Sequence, residues 1–316
     1  MILAIGGNAI NKSDQEGTLA QQIENVNEMV GSVVDLIEEG YQVILTHGNG
    51  PQVGILMVKN EMSRECVPNY PLELCNAQTS GSIGYIIQQN LENELKERNV
   101  SRKVITVLTE TLVHKEDPAF QNPDKPIGSF YPEEEAKRLE KEKGYVMKED
   151  SGRGYRRVVP SPKPVDILQK DAIQTLSDDG YIVICTGGGG VPVVQEGSRV
   201  RGVDAVIDKD RASALLAKEI NADYLMLLTG VEQVAIAFGK PEMRWLQDMT
   251  VEEAEGYLAQ GEFPPGSMGP KIEAACEFVK HGPKGAVAII TSLDKMKEAM
   301  RHETGTWIRK ETVDEL

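Results

Sequence analysis

Residues 180–192 read Gly180-Tyr-Ile-Val-Ile-Cys-Thr-Gly-Gly-Gly-Gly-Val-Pro192, an apolar, β-prone run that leads directly into four glycines. Residues 40–51, Gly40-Tyr-Gln-Val-Ile-Leu-Thr-His-Gly-Asn-Gly-Pro51, repeat this pattern, and residues 1–8 carry a third version that ends in Gly6-Gly7-Asn8. Each run predicts a buried strand followed by a loop of accessible backbone amides, because glycine tolerates positive φ and leaves its N–H uncovered. A tight strand-to-helix turn would explain one such loop, but three loops of one kind indicate a shared anionic ligand.

Helical and strand-like patterns alternate along the rest of the chain. The predicted helices cover residues 18–39, 72–98, 165–176 and 211–220, and the predicted strands cover residues 102–108, 224–228 and 286–291. Pro51 suits the first turn of a helix that begins after the second glycine loop. Strands that alternate with helices so regularly predict an α/β fold in which helices cover both faces of a largely parallel sheet.

Residues 114–164 differ in character from the segments on either side. They contain few apolar residues, many charges and repeated prolines, and they include Lys125-Pro126-Ile127-Gly128. The segment is too long for an ordinary connection inside a compact domain. We therefore expect one domain over residues 1–316, with residues 114–164 inserted in it as a protruding lid subdomain.

Composition limits the classes of partner. The chain has 316 residues and a formal net charge of −15, without a concentrated basic stripe, which argues against a nucleic-acid partner. An anionic substrate must then be attracted by local lysines and amides, because the overall field repels it. The first residues already have a strand pattern without a basic flank, and no apolar run is long enough to span a bilayer. We expect a cytoplasmic protein that has no membrane partner.

Cysteines and histidines are scattered and give no sign of a structural zinc site. They are Cys66, Cys75, Cys185 and Cys276, and His47, His114, His281 and His302. Because no CxxC pair occurs in this large chain, we expect reduced and mostly packed thiols.

Two lysines stand where helices are predicted to begin. Lys209 follows Asp208, a plausible N-cap, and Lys271 follows Pro270, which suits a first helical position. An unpaired lysine in a first helical turn faces the positive end of the helix dipole, a loss of about 0.3–1 kcal/mol. Two lysines placed this way near amide-rich loops would suit a polyphosphate, although solvated surface lysines are the alternative. Asp210, flanked by cations, is more typical of a salt-bridge acid than of a catalytic base.

The common nucleotide-binding motifs are absent. No GxxxxGK[ST] occurs, which argues against a P-loop fold, and no GxGxxG follows a predicted strand. The segment Gly48-Asn49-Gly50-Pro51-Gln52-Val53-Gly54 comes close, but its spacing differs and Pro51 interrupts the turn.

The whole chain resembles the carbamate kinases, a branch of the amino acid kinase superfamily. The motifs that carry the resemblance are Gly6-Gly7-Asn8-Ala9, residues 46–54, Lys125-Pro126-Ile127-Gly128, Val159-Pro160-Ser161-Pro162, residues 202–210 and Gly266-Ser267-Met268-Gly269-Pro270-Lys271. The resemblance implies a three-layer αβα sandwich around a mainly parallel sheet of about eight strands, a protruding lid and a homodimer. It also implies reversible phosphoryl transfer from ATP to carbamate, giving ADP and carbamoyl phosphate, with Mg²⁺ held mainly by the nucleotide phosphates and not by protein ligands.

Site residues follow from the resemblance by position. The catalytic set is Lys125, Lys209, Asp210 and Lys271. The set that binds phosphate and substrate is Gly6, Gly7, Asn8, Gly48, Asn49, Gly50, Gly188 and Gly189. The set that borders the nucleotide is Thr229, Val231, Ala237, Ser267, Met268 and Gly269. In this assignment Asp210 orients Lys209 and Lys271, and Lys125 reaches in from the lid.

Two other functions remain open from the sequence. A kinase of the same fold could act on another small carboxylate such as acetylglutamate, and the segment around Lys125 argues against it because it resembles the carbamate branch. A non-catalytic nucleotide-binding regulator is the second alternative, and the presence of Lys209, Asp210 and Lys271 argues against it.

Overall fold

The chain alternates between strands and helices, as the sequence predicts. The computed structural model describes residues 1–12, 15–150, 152–264 and 266–311, without the side chain of Asn8. The strands are β1 (Ile2–Ile5), β2 (Ile44–His47), β3 (Val104–Thr106), β4 (Glu110–Val113), β5 (Lys125–Tyr131), β6 (Val146–Glu149), β7 (Tyr155–Val159), β8 (Pro164–Ile167), β9 (Ile182–Cys185), β10 (Val191–Glu196), β11 (Arg199–Gly202), β12 (Tyr224–Thr229), β13 (Val234–Ile236), β14 (Arg244–Leu246), β15 (Asp248–Thr250), β16 (Val287–Ser292) and β17 (Thr306–Arg309). The helices are α1 (Leu19–Glu38), α2 (Gly50–Met62), α3 (Leu72–Glu97), α4 (Glu133–Lys143), α5 (Lys170–Asp178), α6 (Lys209–Glu219), α7 (Val251–Ala259), α8 (Met268–His281) and α9 (Met296–Met300).

Eight strands form the main sheet, in the order β15-β17-β16-β12-β1-β2-β9-β3. Neighbouring strands pair in parallel throughout, except that β16 and β17 are antiparallel. The α/β fold class and the mainly parallel sheet are therefore confirmed. Because β1, β2 and β9 are adjacent, the three glycine loops that follow them meet at one edge of the sheet.

Two apolar cores lie on opposite faces of this sheet. Ile2 and Ala4 of β1 pack in one core with side chains of α6 and α8, and Leu3 and Ile5 pack in the other with side chains of α1 and α3. Successive side chains of a strand point to opposite faces, so the alternation in β1 joins both cores to one strand. Helices on both faces of the sheet make the three-layer sandwich that the sequence predicts.

The inserted segment folds as a small sheet with one helix. Strands β5, β7 and β6 pair in that order, and α4 packs on them through Ala136 and Leu139, next to Met147. A second small sheet has the strand order β11-β10-β4-β8; β4 and β8 flank the insertion in the chain, and β10 and β11 follow β9 of the main sheet.

One helix prediction is wrong. Residues 165–176 do not form a continuous helix, because Pro164–Ile167 are strand β8, and helix α5 begins only at Lys170. Strand β8 pairs antiparallel with β4, and Ile167 is fully buried, so a partner distant in sequence decides the conformation. The pattern of the second run predicts a strand over residues 42–45, and β2 lies two residues later, at Ile44–His47. Pro270 is the third residue of α8 instead of the first.

Among the described residues, no helix has the length and apolar character needed to cross a membrane.

Candidate active site

The three glycine loops touch one another at the carboxyl ends of β1, β2 and β9. A Cβ atom added to Gly7 would lie 2.7 Å from Cα of Gly50, and one added to Gly188 would lie 2.6 Å from Nδ2 of Asn49. Neither contact leaves room for a side chain, since real Cβ atoms do not approach other atoms so closely. Glycine is thus required where the loops converge, and the loops form one concave surface of backbone.

Two lysines from different helices meet beside this surface. Nζ of Lys209 donates to Oδ1 of Asp210 at 2.5 Å, and Nζ of Lys271 donates to Oδ2 of the same carboxylate at 2.7 Å. The side chains of Lys209, Lys271 and Asp210 are only 12%, 15% and 5% exposed, so the lysines are not solvated surface groups. A Cβ atom on Gly48 would lie 3.3 Å from Cδ of Lys209, which places that lysine against the second glycine loop.

Asp210 stays ionised in this surrounding. Burial alone would raise the pKa of Asp210, but the ammonium groups of Lys209 and Lys271 outweigh it and hold the pKa below its usual value. Burial lowers the pKa of the Lys209 ammonium group, and the charge of Asp210 offsets only part of this effect. The pKa of Lys209 therefore lies below its usual value. Both carboxylate oxygens of Asp210 are occupied by lysines, so this residue is placed to orient them and not to accept a proton from substrate.

Lys125 of the inserted segment reaches the same helix terminus. Its Nζ donates to Oδ2 of Asp208 at 2.8 Å, while Oδ1 of Asp208 accepts the backbone N–H groups of Asp210 and Arg211. Burial would raise the pKa of Asp208, yet the charges of Lys125 and Lys209 hold it well below its usual range. The predicted N-cap is therefore confirmed, and Asp208 also anchors Lys125, which the sequence did not reveal.

Polar side chains behind the loops were also missed from the sequence. Asn76 and Ser80 of α3 bind the second and third loops, since Oδ1 of Asn76 accepts from Asn49 at 2.7 Å and Oγ of Ser80 donates to the Gly187 carbonyl at 2.8 Å. Thr111 of β4 donates to the Gly189 carbonyl at 2.8 Å. Asn76 and Ser80 are buried polar residues of α3, a helix whose other buried positions are mostly apolar. Polar residues at buried positions of this helix were the sequence signal that could have indicated their role.

His47 lies between the second and third loops but is not suited to acid–base chemistry. It is 1% exposed, its Nδ1 donates to the Gly48 carbonyl at 3.0 Å, and burial lowers its pKa to about 4. The imidazole is therefore neutral at pH 7 and acts as a packing and hydrogen-bonding group between the loops.

The residues predicted to border the nucleotide fall in two segments on the far side of the first loop. Thr229 ends β12, and the Leu228 carbonyl lies 3.7 Å from a Cβ atom placed on Gly6. Glu262 links the two segments, because its Oε2 accepts the N–H of Ala237 at 2.7 Å and it precedes the turn into α8. Val231 is half-buried, Ser267 is exposed, and Met268 and Gly269 open α8. Met268 and Gly269 lie in the first turn of α8 directly before Pro270 and Lys271, so this part of the nucleotide set adjoins the lysine that binds Asp210.

Comparison with known proteins places this chain in a family. A sequence model described as the amino acid kinase family matches residues 1–290, and the chain belongs to that family. Proteins named carbamate kinase match it over almost its full length. The enzyme of Clostridium perfringens is 49% identical over 313 residues, covering 98% of this chain and 99% of that protein, and the enzyme of Pyrococcus horikoshii is 47% identical over 310 residues, covering 98% of each. A solved structure of carbamate kinase from Giardia lamblia bound to AMP-PNP superposes with a TM-score of 0.91 at 42% identity and 98% coverage of both chains.

Proposed function

We propose that the protein is a carbamate kinase, which transfers a phosphoryl group reversibly between ATP and carbamate and forms ADP and carbamoyl phosphate. The observation that carries the proposal is the meeting of Lys209 and Lys271 on Asp210, beside three converging glycine loops. Full-length similarity to named carbamate kinases at 47–49% identity supports the same function.

Electrostatic stabilisation supplies the chemistry. Donor and acceptor are both anions, so their repulsion and their alignment are the obstacles to transfer. Lys209 and Lys271 neutralise charge on the migrating phosphoryl group, and Asp210 fixes both ammonium groups before substrate arrives. A positioned donor of this kind requires no reorganisation during the reaction, which is why it lowers the barrier.

No general base is required in this proposal. The attacking oxygen of carbamate is already ionised near neutral pH, so it needs no deprotonation. The neutral, buried His47 and the doubly occupied Asp210 are consistent with a site that moves no proton from substrate.

We assign the glycine loops to the transferring phosphoryl group and the carbamate. Their backbone N–H groups donate to anionic oxygens at positions where side chains would clash. The proposed contacts come from Gly6, Gly7, Asn8, Gly48, Asn49, Gly50, Gly188 and Gly189, of which the Asn8 side chain lies outside the described part of the chain.

The lid, residues 114–164, is proposed to close over the site with Lys125. Carbamate has only four heavy atoms, and at a ceiling of about 1.5 kcal/mol per atom it binds with roughly 6 kcal/mol at most. Closure would retain this small substrate and exclude the water that hydrolyses an acyl phosphate. The ion pair of Lys125 with Asp208 supports a closed position for the lid.

The nucleotide is proposed to lie along Thr229, Val231 and Ala237, opposite residues 267–269. Mg²⁺ would enter with the nucleotide phosphates and neutralise part of their charge. Among the described residues, no group of three or more His, Cys, Asp or Glu side chains is placed to hold a metal ion. The carboxylates nearest the site, Asp208 and Asp210, are already bound to lysines, which supports an ion held mainly by the phosphates.

We further propose a cytoplasmic homodimer. Cys75, Cys185 and Cys276 are buried free thiols and Cys66 is an exposed one, which suits a reducing compartment. Gel filtration with light scattering tests the dimer.

The test of function is ATP formation from ADP and carbamoyl phosphate by the purified protein, with Mg²⁺ present. Rapid formation of ATP is expected, and acetylglutamate and glutamate with ATP are expected to give no ADP. Tight ADP binding in calorimetry with no turnover of any substrate would contradict the proposal and favour a regulator.

A further inference from the structure

Gln52 carries a primary amide that is buried without a hydrogen-bond partner. It is the third residue of α2, directly after the second glycine loop. Neither Oε1 nor Nε2 is exposed to solvent, and neither is hydrogen-bonded within the part of the chain that the structure describes. Burial of an unpaired donor and acceptor is unfavourable, so such a group calls for a physical reason.

The amide lies where the first and second glycine loops meet. A Cβ atom added to Gly50 would lie 3.1 Å from Oε1 of Gln52 and 3.2 Å from Cα of Gly7. The amide oxygen and the first loop therefore approach Gly50 on the same side. A Cβ atom added to Gly48 would lie 3.5 Å from N of Gly7 and 3.3 Å from Cδ of Lys209, so the side chain of Lys209 also passes close to this meeting point of the loops.

The missing partner must offer both a donor and an acceptor. The amide of Gln52 has an oxygen that accepts and an NH₂ group that donates. A carbamoyl group, –C(=O)–NH₂, presents the complementary pair on adjacent atoms, so the two groups can form two parallel hydrogen bonds. A phosphate dianion or an acetyl group has no N–H or O–H donor and satisfies only the NH₂ side of Gln52.

We propose that Gln52 is the specificity-determining residue that recognises the amino group of carbamate and of carbamoyl phosphate. The inference rests on the proposed phosphoryl transfer and names how the site distinguishes its acceptor from a plain carboxylate. A site built to hydrogen-bond one polar group rejects an analogue that lacks it, because the buried amide is then left unpaired.

Access to the amide requires the two glycine loops to part. Gly50 lies beside the amide oxygen and Gly7 lies beside Gly50, and neither glycine has a side chain to obstruct the movement. Substrate enters between the loops, satisfies the amide and occupies the region beside Lys209.

The test compares carbamoyl phosphate with acetyl phosphate as phosphoryl donors to ADP, measured as kcat/KM for ATP formation. The variant Gln52→Met keeps the length of the side chain and removes both hydrogen-bonding atoms. Loss of two hydrogen bonds at about tenfold each predicts a decrease of about a hundredfold for carbamoyl phosphate. Acetyl phosphate should change by no more than about tenfold, because it makes at most one of these bonds. Gln88→Met is the matched control, since Gln88 is a half-buried glutamine of α3 that accepts from Thr106.

The outcomes separate this inference from the proposed function. If the wild-type protein makes no ATP from carbamoyl phosphate, the proposed function fails. If it does, but Gln52→Met lowers both donors in parallel or neither, Gln52 is structural and the inference is overturned. Should the variant not fold, the wild-type protein decides: equal use of the two donors overturns the inference, and a strong preference for carbamoyl phosphate supports it.

Discussion

Asp210 binds two ammonium groups with one carboxylate, so the buried cluster keeps one uncompensated positive charge. Lys209, Lys271 and Asp210 are all nearly buried, and a buried charge without a partner is strongly unfavourable. In the proposed function, an incoming phosphate group would restore neutrality beside the three glycine loops. Against a net charge of −15, this local excess is what draws an anion to the site.

The lysine pair leads to the first prediction. Lys271→Ala is expected to lower kcat for ATP formation by about a hundredfold or more, because a preorganised electrostatic partner is lost. Lys280→Ala is the control, since Lys280 belongs to the same helix and pairs with Glu255 on the surface. Steady-state kinetics of both variants check this, and near wild-type turnover in Lys271→Ala would reject the assigned role.

Asp208 is expected to act through Lys125. Asp208→Asn keeps an oxygen that can cap α6 but removes the charge that holds Lys125, so we expect a decrease in kcat of about tenfold. The double variant with Lys125→Ala should be no slower than Lys125→Ala alone, because the effect of Asp208 is then already lost. Additive losses in this double-mutant cycle would show that Asp208 has a separate function.

His47 should make stability depend on pH between about 6.5 and 4. Its pKa is lowered to about 4 in the folded chain, because burial disfavours the charged imidazole. As pH falls, the unfolded chain takes up a proton that the folded chain excludes, so the free energy of unfolding decreases. Between pH 7 and pH 5 we expect wild type to lose about 2 kcal/mol more than His47→Gln. Urea unfolding at both pH values measures this difference, and equal losses would contradict it.

At the scale of elements, helix α2 and strand β5 meet through two glycines. A Cβ atom on Gly54 would lie 2.3 Å from Cα and 2.5 Å from N of Gly128, so only backbone fits there. This contact sets the distance between the inserted segment and the loop that begins α2. Val53 and Ile127 pack beside it in a small apolar cluster.

Gly54→Ala is therefore expected to displace β5, which carries Lys125. Turnover should fall at least about tenfold, since misplacing a catalytic group by about 1 Å can cost that much or more. Gly256→Ala in α7 is the control: nothing lies within 4 Å of its added Cβ, so the variant should gain up to about 1 kcal/mol from helix propensity. Thermal unfolding and kcat are measured for both, and unimpaired turnover in Gly54→Ala would show that the contact does not position Lys125.

Elements with a strong local pattern were predictable from the sequence, and those decided by distant pairing were not. Helix α1 begins at the residue after Thr18, whose capping box is present, close to the predicted residues 18–39. Strand β8 was predicted as helix because residues 165–176 have apolar spacing that fits both structures, and only its pairing with β4 distinguishes them.

In the site, too, features set by local sequence were predictable and contacts between distant residues were not. The glycine loops and both lysines were visible as local motifs, and the resemblance gave their roles. The bond between Lys125 and Asp208 joins residues 83 positions apart, so no local pattern reports it. The link from Asn49 to Asn76 likewise depends on how α3 packs against the second loop.

At the scale of the whole molecule, the inserted segment leaves and re-enters the body at one point. Val113 of β4 and Pro164 of β8 are direct partners in an antiparallel ladder. The residue before the insertion and the residue after it are therefore adjacent in space. Residues 114–163 have a small apolar cluster of their own around Ala136 and Leu139. These features favour a subdomain that can be removed without reconnecting distant strands.

Replacing residues 114–163 with an Asn-Gly turn tests this organisation, because that dipeptide suits a two-residue hairpin between β4 and β8. The shortened protein should keep its circular dichroism spectrum and bind ADP, but lose at least about a hundredfold in ATP formation because Lys125 is gone. Exposure of Val53 and Leu72, both 2% exposed in the full chain, should lower stability by about 3–6 kcal/mol.

Full turnover would show that the segment does not serve the site. An unfolded chain would show that residues 114–164 are part of the body and not a lid, because the main sheet would then depend on them to form.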